Sequence, residues 1–255
     1  MNSINSDISL YDKNWLFWSD MKVFGPASRW LRYLIFEQLK LIDKNECKSL
    51  LDVGCGEGTN TFYLAKFLNH AAIRGIDFSN IAINIAKNRY KLSNLEFIHD
   101  IYSIYLDNNK YDIVVCFEVI EHVEDWKNII TRISNSANKY IMLSFPTGRM
   151  RSYEKNVGHI RNFKRGEVEN FLKNKNFMPI NIYYGGFPFF SPIYRELCSF
   201  TNAGSNSFTK GDYGILQKIV SNILLFCFKY LSTKHKMGDQ LVGLFKKNDS
   251  IKNCI

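Results

Sequence analysis

Apolar and polar positions follow two alternating rhythms along the chain. Short runs rich in branched and aromatic residues at 48–53, 73–77, 95–99, 111–117 and 139–145 read as strands. Between them, 60–68, 81–90 and 126–134 repeat apolar residues at helical spacing. Strands that alternate with helices predict a doubly wound, mostly parallel α/β sheet covered on both faces, with ligands at the carboxyl ends of its strands. After Pro146 the pattern resumes with a loop, a helix over 165–174 and a strand over 178–184. Pro188 and Pro192, with Gly185 and Gly186, then break regular structure. Residues 191–236 read as a helical insertion, because a last strand-like run follows at 240–245. The expected organisation is a segment 1–41, a polar start leading into a helix from Pro26, followed by one domain over 42–255.

The insertion holds a second amphipathic pattern. Between 213 and 231, Gln217, Lys218, Ser221 and Asn222 form a polar stripe against a wide apolar face, with Lys210, Lys229, Lys234 and Lys236 at or near its ends. Such a helix caps the core, pairs two chains into a homodimer, or lies in a membrane interface, and these three readings stay open.

Composition narrows the class. In 255 residues, 46% hydrophobic and 22% charged side chains exclude a disordered, collagen-like or coiled-coil chain. The net charge of +9 is uneven: residues 1–145 carry 16 basic and 17 acidic side chains, and residues 146–255 carry 17 and 7, so the second part favours an anionic partner. Six cysteines show no CxxC pair and no metal-type spacing, which fits a reducing compartment. The start MNSINSDISL has no export-signal pattern, and no apolar run reaches the roughly 18 residues of a membrane span. A cytoplasmic protein is expected, with peripheral contact at the inner face of the membrane if the basic helix meets lipid.

The strongest local pattern is a buried strand running into Asp52-Val53-Gly54-Cys55-Gly56-Glu57-Gly58-Thr59. Its glycine spacing is G-x-G-x-G. A dinucleotide turn would want a third glycine where Thr59 stands, and the G-K-[ST] of a phosphate loop is absent. Asp52 and Glu57 flank the turn and oppose a diphosphate, so a ligand with a positive end suits it better. Asp77 ends the next strand, where a carboxylate can accept from two ribose hydroxyls. Asp100 follows the third strand, placed to meet an adenine amino group while Ile101 packs on the ring.

In this order and spacing, LDVGCGEGT, GIDFS, IHDI, YDIVVCFEVIEHVED and VGHIRNFKRGEVENFL resemble the class I S-adenosylmethionine-dependent methyltransferases, small-molecule type, over roughly residues 45–185. The resemblance implies a Rossmann-like seven-stranded sheet whose last strand is antiparallel. It implies S-adenosylmethionine as cofactor and S-adenosylhomocysteine as product. Gly54, Gly56 and Gly58, with Asp52 and Cys55, would cradle the methionine part, and Asp77 with Phe78 would meet the ribose. Asp100 and Ile101 would hold the adenine, and Phe117 and Glu118 would line the cleft near the sulfonium.

Acceptor-side candidates follow from the same frame. A hydroxyl acceptor needs its proton removed, and histidine is the usual choice near neutral pH. His159 is the expected base, and Arg161 and His122 are expected on the acceptor side, although the resemblance also allows His122 to shape the loop after the fourth strand. Tyr11, Trp15 and Trp18 are read as a lid over the acceptor. No metal site is expected. The N/D-P-P-Y motif of adenine methylation and the Pro-Cys loop of pyrimidine methylation are absent, and nucleic acid is not the expected partner. The expected reaction is methyl transfer to oxygen of a small or lipid-linked metabolite, with an RNA methyltransferase or a non-catalytic binder of the cofactor as the competing readings.

Overall fold

Strand β1 (Ser49–Val53) is buried from Leu50 onward because it has neighbours on both edges and helices on both faces. The structure is a computed structural model that describes residues 20–100, 106, 109–201 and 212–248. In it β1 pairs in parallel with β2 (Ala72–Asp77) on one side and β4 (Tyr111–Phe117) on the other. Strand β3 (Leu95–His99) forms one edge beyond β2, and β5 (Ala137–Pro146) continues the sheet beyond β4. Strand β7 (Gln240–Lys247) slots antiparallel between β5 and β6 (Phe177–Gly185). The order β3-β2-β1-β4-β5-β7-β6 is the Rossmann-like, seven-stranded sheet with a reversed last strand. Chain direction across the sheet switches between β1 and β4, which is where such sheets open a ligand crevice.

Alternating residues feed two separate cores. Leu50, Ile113, Val115 and Val242 point to one face, under α2 (Pro26–Leu39), α3 (Thr59–Phe67) and, through Phe228, α9 (Ile215–Tyr230). Leu51, Val114, Ile141 and Phe245 point to the other, under α5 (Trp126–Ser136) and α7 (Glu167–Lys173). Helix α4 (Asn80–Arg89) closes the β2–β3 edge with Ala82, Ile83 and Ala86. Trp30 is the largest anchor of the first face, with its ring 4.4 Å from Phe190 and 6.0 Å from Phe228. Gln38 of α2 donates to Val242 O at 2.9 Å, so helix and sheet are joined by a buried hydrogen bond as well as by apolar contact.

Four elements differ from the pattern read along the chain. A single turn, α1 (Met21–Phe24), precedes α2, and a short α6 (Ser152–Asn156) lies in the stretch read as loop. The helix expected over 165–174 starts at Glu167, because Gly166 takes the left-handed conformation (φ 84°) and the Glu169 side chain caps its N–H. Helix α9 buries only part of its apolar face, through Leu224, Leu225, Cys227 and Phe228. Of its polar positions Ser221 is buried and donates to Phe24 O, and exposed Asn222 accepts from Arg29 at 2.7 Å. Its apolar positions Ile215, Ile219, Ile223 and Phe226 face outward, each more than half exposed. No helix among the described residues is long and apolar enough to cross a membrane.

Helix α8 (Arg195–Phe200) fastens the loop between β5 and α7. Buried Arg195 pairs with Glu154 of α6, and Arg151 pairs with Glu196 at 2.8 Å and with Asp239 at 3.3 Å. Because Glu154 O also accepts from His159 N at 2.9 Å, this ion network sets where His159 stands.

Candidate active site

The turn after β1 is built from three left-handed glycines, with φ of 75°, 55° and 84° at positions 54, 56 and 58. Two of them also meet close neighbours. A Cβ on Gly54 would stand 2.3 Å from a Val119 methyl, and one on Gly58 would stand 2.6 Å from the Phe97 ring. The turn is therefore bare of side chains for backbone reasons, and Val119 brings the loop after β4 against it. Cys55 turns its thiol back toward Gly75 of β2, so it offers only backbone to the cleft.

Asp77 ends β2 and is buried, accepting from Gly56 N and from Ser79 N, both at 2.9 Å. It braces the glycine turn from the neighbouring strand and presents an oriented carboxylate at the crevice. Asp100 lies one strand further out; its backbone N–H donates to Asp77 O at 3.0 Å, and its buried Oδ1 has no hydrogen-bond partner among the described residues. A buried carboxylate oxygen without a donor is a place for a ligand N–H or O–H. The bare turn, the braced Asp77 and the orphaned oxygen of Asp100 together fit an adenosine ligand that carries a cationic rather than a diphosphate group. Ile101, Tyr11, Trp15 and Trp18 lie outside the described residues.

The two acids flanking the turn are less simply negative than expected. Asp52 lies under the turn and accepts from the Thr61 hydroxyl at 2.7 Å, and burial lifts its carboxyl to about 7. Glu57 faces away from the cleft, accepting from Thr59 Oγ1 at 2.8 Å and pairing with Arg89 at 3.5 Å.

Beyond β4, Phe117 is buried in the first core, and Phe78 packs beside the second. Glu118 stands at φ 56°, a conformation rare for a side chain of its size, and its Oε1 accepts from Ser144 at 2.9 Å and Gln240 at 2.8 Å. Burial raises its carboxyl above the ordinary range. Ser144 and Gln240, from β5 and β7, were not singled out along the chain, since only the sheet order brings them beside β4.

The following residues form a corner of their own. Glu121 is fully buried, and neither carboxylate oxygen has a hydrogen-bond partner in another described residue; burial first, and Glu118 second, push its proton affinity well up. His122 and His159 meet edge-on with ring centroids 4.6 Å apart. His122 Nδ1 donates to Gly158 O at 2.9 Å, and Ile160 N donates to Glu121 O at 3.1 Å, so the two loops are stapled on either side of His159. Burial lowers both imidazoles, His122 to about 4 and His159 to about 3. Arg161 points elsewhere, donating to Glu124 O at 2.9 Å, and does not join this corner. One ligand atom from each of Glu121, His122 and His159 falls within 4.8 Å of the others, a grouping the sequence reading did not include. Their ligand spacing is invisible along the chain because the two loops are distant in sequence.

A family model described as a methyltransferase domain matches residues 44–182. The chain belongs to this family. The match runs from just before β1 into β6, so the methyltransferase domain includes the glycine turn, Asp77, Asp100 and the Glu121–His159 corner. Over 86 residues the chain is 37% identical to a ubiquinone biosynthesis O-methyltransferase of Coxiella burnetii, which is 32% of this chain and 36% of that protein. Over 72 residues it is 33% identical to a phthiotriol/phenolphthiotriol dimycocerosates methyltransferase of Mycobacterium leprae, covering 28% and 27% of the two chains. The match thus spans about a third of the length of these curated relatives. In fold, the methyltransferase domain is similar to a magnesium protoporphyrin IX methyltransferase from Synechocystis with bound S-adenosylhomocysteine, at TM-score 0.56 and 14% identity over 90% of this chain and 86% of that one.

Proposed function

We propose that this protein transfers a methyl group from S-adenosylmethionine to an oxygen of a small or lipid-linked metabolite. The observation that carries the reading is the pair Asp77 and Asp100, one braced by backbone N–H groups and one orphaned, beside a turn with no side chains. Asp77 would accept from the ribose hydroxyls and Asp100 from the adenine amino group. Gly54, Gly56 and Gly58 would leave room for the methionine part, with Glu118 beside it. When bound, the cofactor supplies a methyl group already activated for transfer. The protein contributes alignment, which by itself can supply about 7–11 kcal/mol.

The acceptor would approach from the side of Glu121, His122 and His159. His159 is uncharged in this setting and can accept a hydrogen bond from an acceptor hydroxyl. Its proton affinity, lowered by burial and by His122, makes it a weak base for an unactivated hydroxyl. The relatives named for an O-methyltransferase and for a lipid-like substrate support an oxygen acceptor of apolar character. The outward apolar face of α9, with Lys218 and Lys229 on the same helix, supports contact with an anionic membrane surface where such an acceptor would reside.

Calorimetry with S-adenosylmethionine, S-adenosylhomocysteine and NAD tests the cofactor half of the reading. Binding of the first two and not the third is expected, and uptake of NAD alone would overturn it. Mass spectrometry of extracts incubated with the protein and isotopically labelled cofactor tests the transfer. A labelled apolar product is expected, and label confined to RNA would overturn the acceptor class.

A further inference from the structure

We propose that Glu121, His122 and His159 form a binding site for a divalent transition-metal ion on the acceptor side of the cleft. The first ground is proximity: one ligand atom from each residue lies within 4.8 Å of the others, wider than the roughly 3.3–3.6 Å between tetrahedral ligands at bond lengths of about 2.0–2.2 Å, so the side chains draw in on binding.

The second ground is what the buried carboxylate lacks. Glu121 is completely enclosed and neither oxygen has a hydrogen-bond partner in another described residue, although buried carboxylates are ordinarily paired or bound to metal. Asp77 and Asp52 are buried to a similar degree and each accepts hydrogen bonds, so the fold does supply donors to buried acids where no ligand is called for.

The third ground is how the imidazoles are held. A carbonyl oxygen can only accept, so the contact with Gly158 O requires the proton on Nδ1 of His122 and puts the lone pair on Nε2. Metal-binding histidines are typically oriented in this way, by a hydrogen bond from the other ring nitrogen to a carbonyl or carboxylate. His159 contributes a buried Nδ1 that makes no close hydrogen bond among the described residues, with the Asn162 side chain its nearest polar neighbour. Its loop is held by Glu154 O at its own N–H and by the Ile160 N–Glu121 O bond next door.

Two imidazoles and one carboxylate suit manganese, iron, cobalt or zinc better than magnesium or calcium, which prefer all-oxygen ligands. Three protein ligands leave coordination positions for water or for acceptor oxygens. The role of the ion, unlike its binding, rests on the methyl-transfer reading. An acceptor hydroxyl bound to it gives up its proton more readily, and a base as weak as His159 is then not required.

The test uses the full chain, stripped with chelator and titrated separately with Co2+, Mn2+ and Zn2+. One saturable equivalent is expected, with visible Co2+ absorption reporting nitrogen and oxygen ligands. Glu121→Gln keeps the shape of the side chain and removes the anionic ligand, and should weaken binding by at least about tenfold. A Glu121 that is merely a protonated structural group would accept this change without moving the Co2+ spectrum, and that result would overturn the proposal, as would absence of saturable binding to the wild type. Should Glu121→Gln fail to fold, His159→Ala on the neighbouring loop gives the same readout. Asp77→Ala should bind metal normally while losing the cofactor. Metal binding without methyl transfer would refute the reaction and spare the site, and transfer unaffected by chelator and by Glu121→Gln would do the opposite.

Discussion

The turn after β1 and the corner after β4 both place buried carboxylates at the carboxyl ends of adjacent strands, yet they treat them in opposite ways. At the turn, Asp77 accepts from two backbone N–H groups, Asp52 from Thr61, and Glu57 from Thr59 and Arg89. At the corner, neither Glu121 oxygen accepts a hydrogen bond from another described residue. The turn is complete as protein and uses its acids to hold a shape into which a ligand fits. The corner gives its acid no protein donor among the described residues, and the proposed metal ion would supply that partner. A satisfied acid thus acts through geometry, and an unsatisfied one asks for a ligand to complete it.

The largest effect that would sharpen this contrast is expected from Asp77→Ala. It removes the proposed ribose acceptor and strands the N–H groups of Gly56 and Ser79, each at a cost of about 1–3 kcal/mol when buried. Cofactor affinity measured by calorimetry should fall by about a hundredfold or more, and the unfolding temperature should fall with it. Retained affinity would break the assignment of the turn.

Gly58→Ala should come next. The new methyl meets the Phe97 ring at 2.6 Å and Ala86 at 2.9 Å on a residue at φ 84°. Overpacking and left-handed strain together should cost at least about 2 kcal/mol in urea denaturation. The loss appears without any ligand present, because the turn is a finished piece of packing.

How much of this was readable beforehand depends on how local each signal is. Strands β1 and β4, the glycine turn and Asp77 rest on residues adjacent in the chain, and their pattern suffices to identify them. The Glu118 contacts with Ser144 and Gln240 need the order β4-β5-β7, which no local spacing encodes. The same holds for the Glu121–His159 corner, whose two loops meet only through the Gly158 and Ile160 contacts. Helix α9 was legible as amphipathic but not in its orientation. The usual inference buries the whole apolar stripe, whereas here Leu224, Leu225, Cys227 and Phe228 pack on the core while Ile215, Ile219, Ile223 and Phe226 face outward, and Ser221 with Asn222 makes polar contacts.

A smaller and pH-dependent effect is expected from Asp52→Asn. Burial raises this carboxyl from 3.8 to about 7, so between about pH 4 and pH 7 the folded protein retains a proton that the unfolded chain releases. More protons on the folded state mean that stability falls as pH rises through that window. Asparagine does not titrate and can still accept from Thr61. The variant should therefore match the wild type at acid pH and unfold at a higher temperature above neutrality. Equal unfolding temperatures at every pH would show that Asp52 is not the strained acid of the turn. A cationic cofactor prefers the ionised form, so the variant should bind it less tightly on the alkaline side.

The smallest effect on the fold, and the one that separates surface from core most cleanly, is expected from Ile219→Asn combined with Phe226→Gln. Both side chains are more than half exposed on α9, so their replacement should change stability by no more than about 0.5 kcal/mol each. Trp30, Phe190 and Phe228, which hold the helix to the domain, are left untouched. If the outward face meets lipid, co-sedimentation with anionic vesicles should drop sharply while cofactor binding stays constant. Raising the salt concentration should weaken the wild-type interaction in part only, since screening acts on Lys218 and Lys229 and not on buried apolar area. Vesicle binding that survives the double substitution would place the membrane contact elsewhere. A loss of self-association in place of vesicle binding would make the face a contact between two copies of the chain.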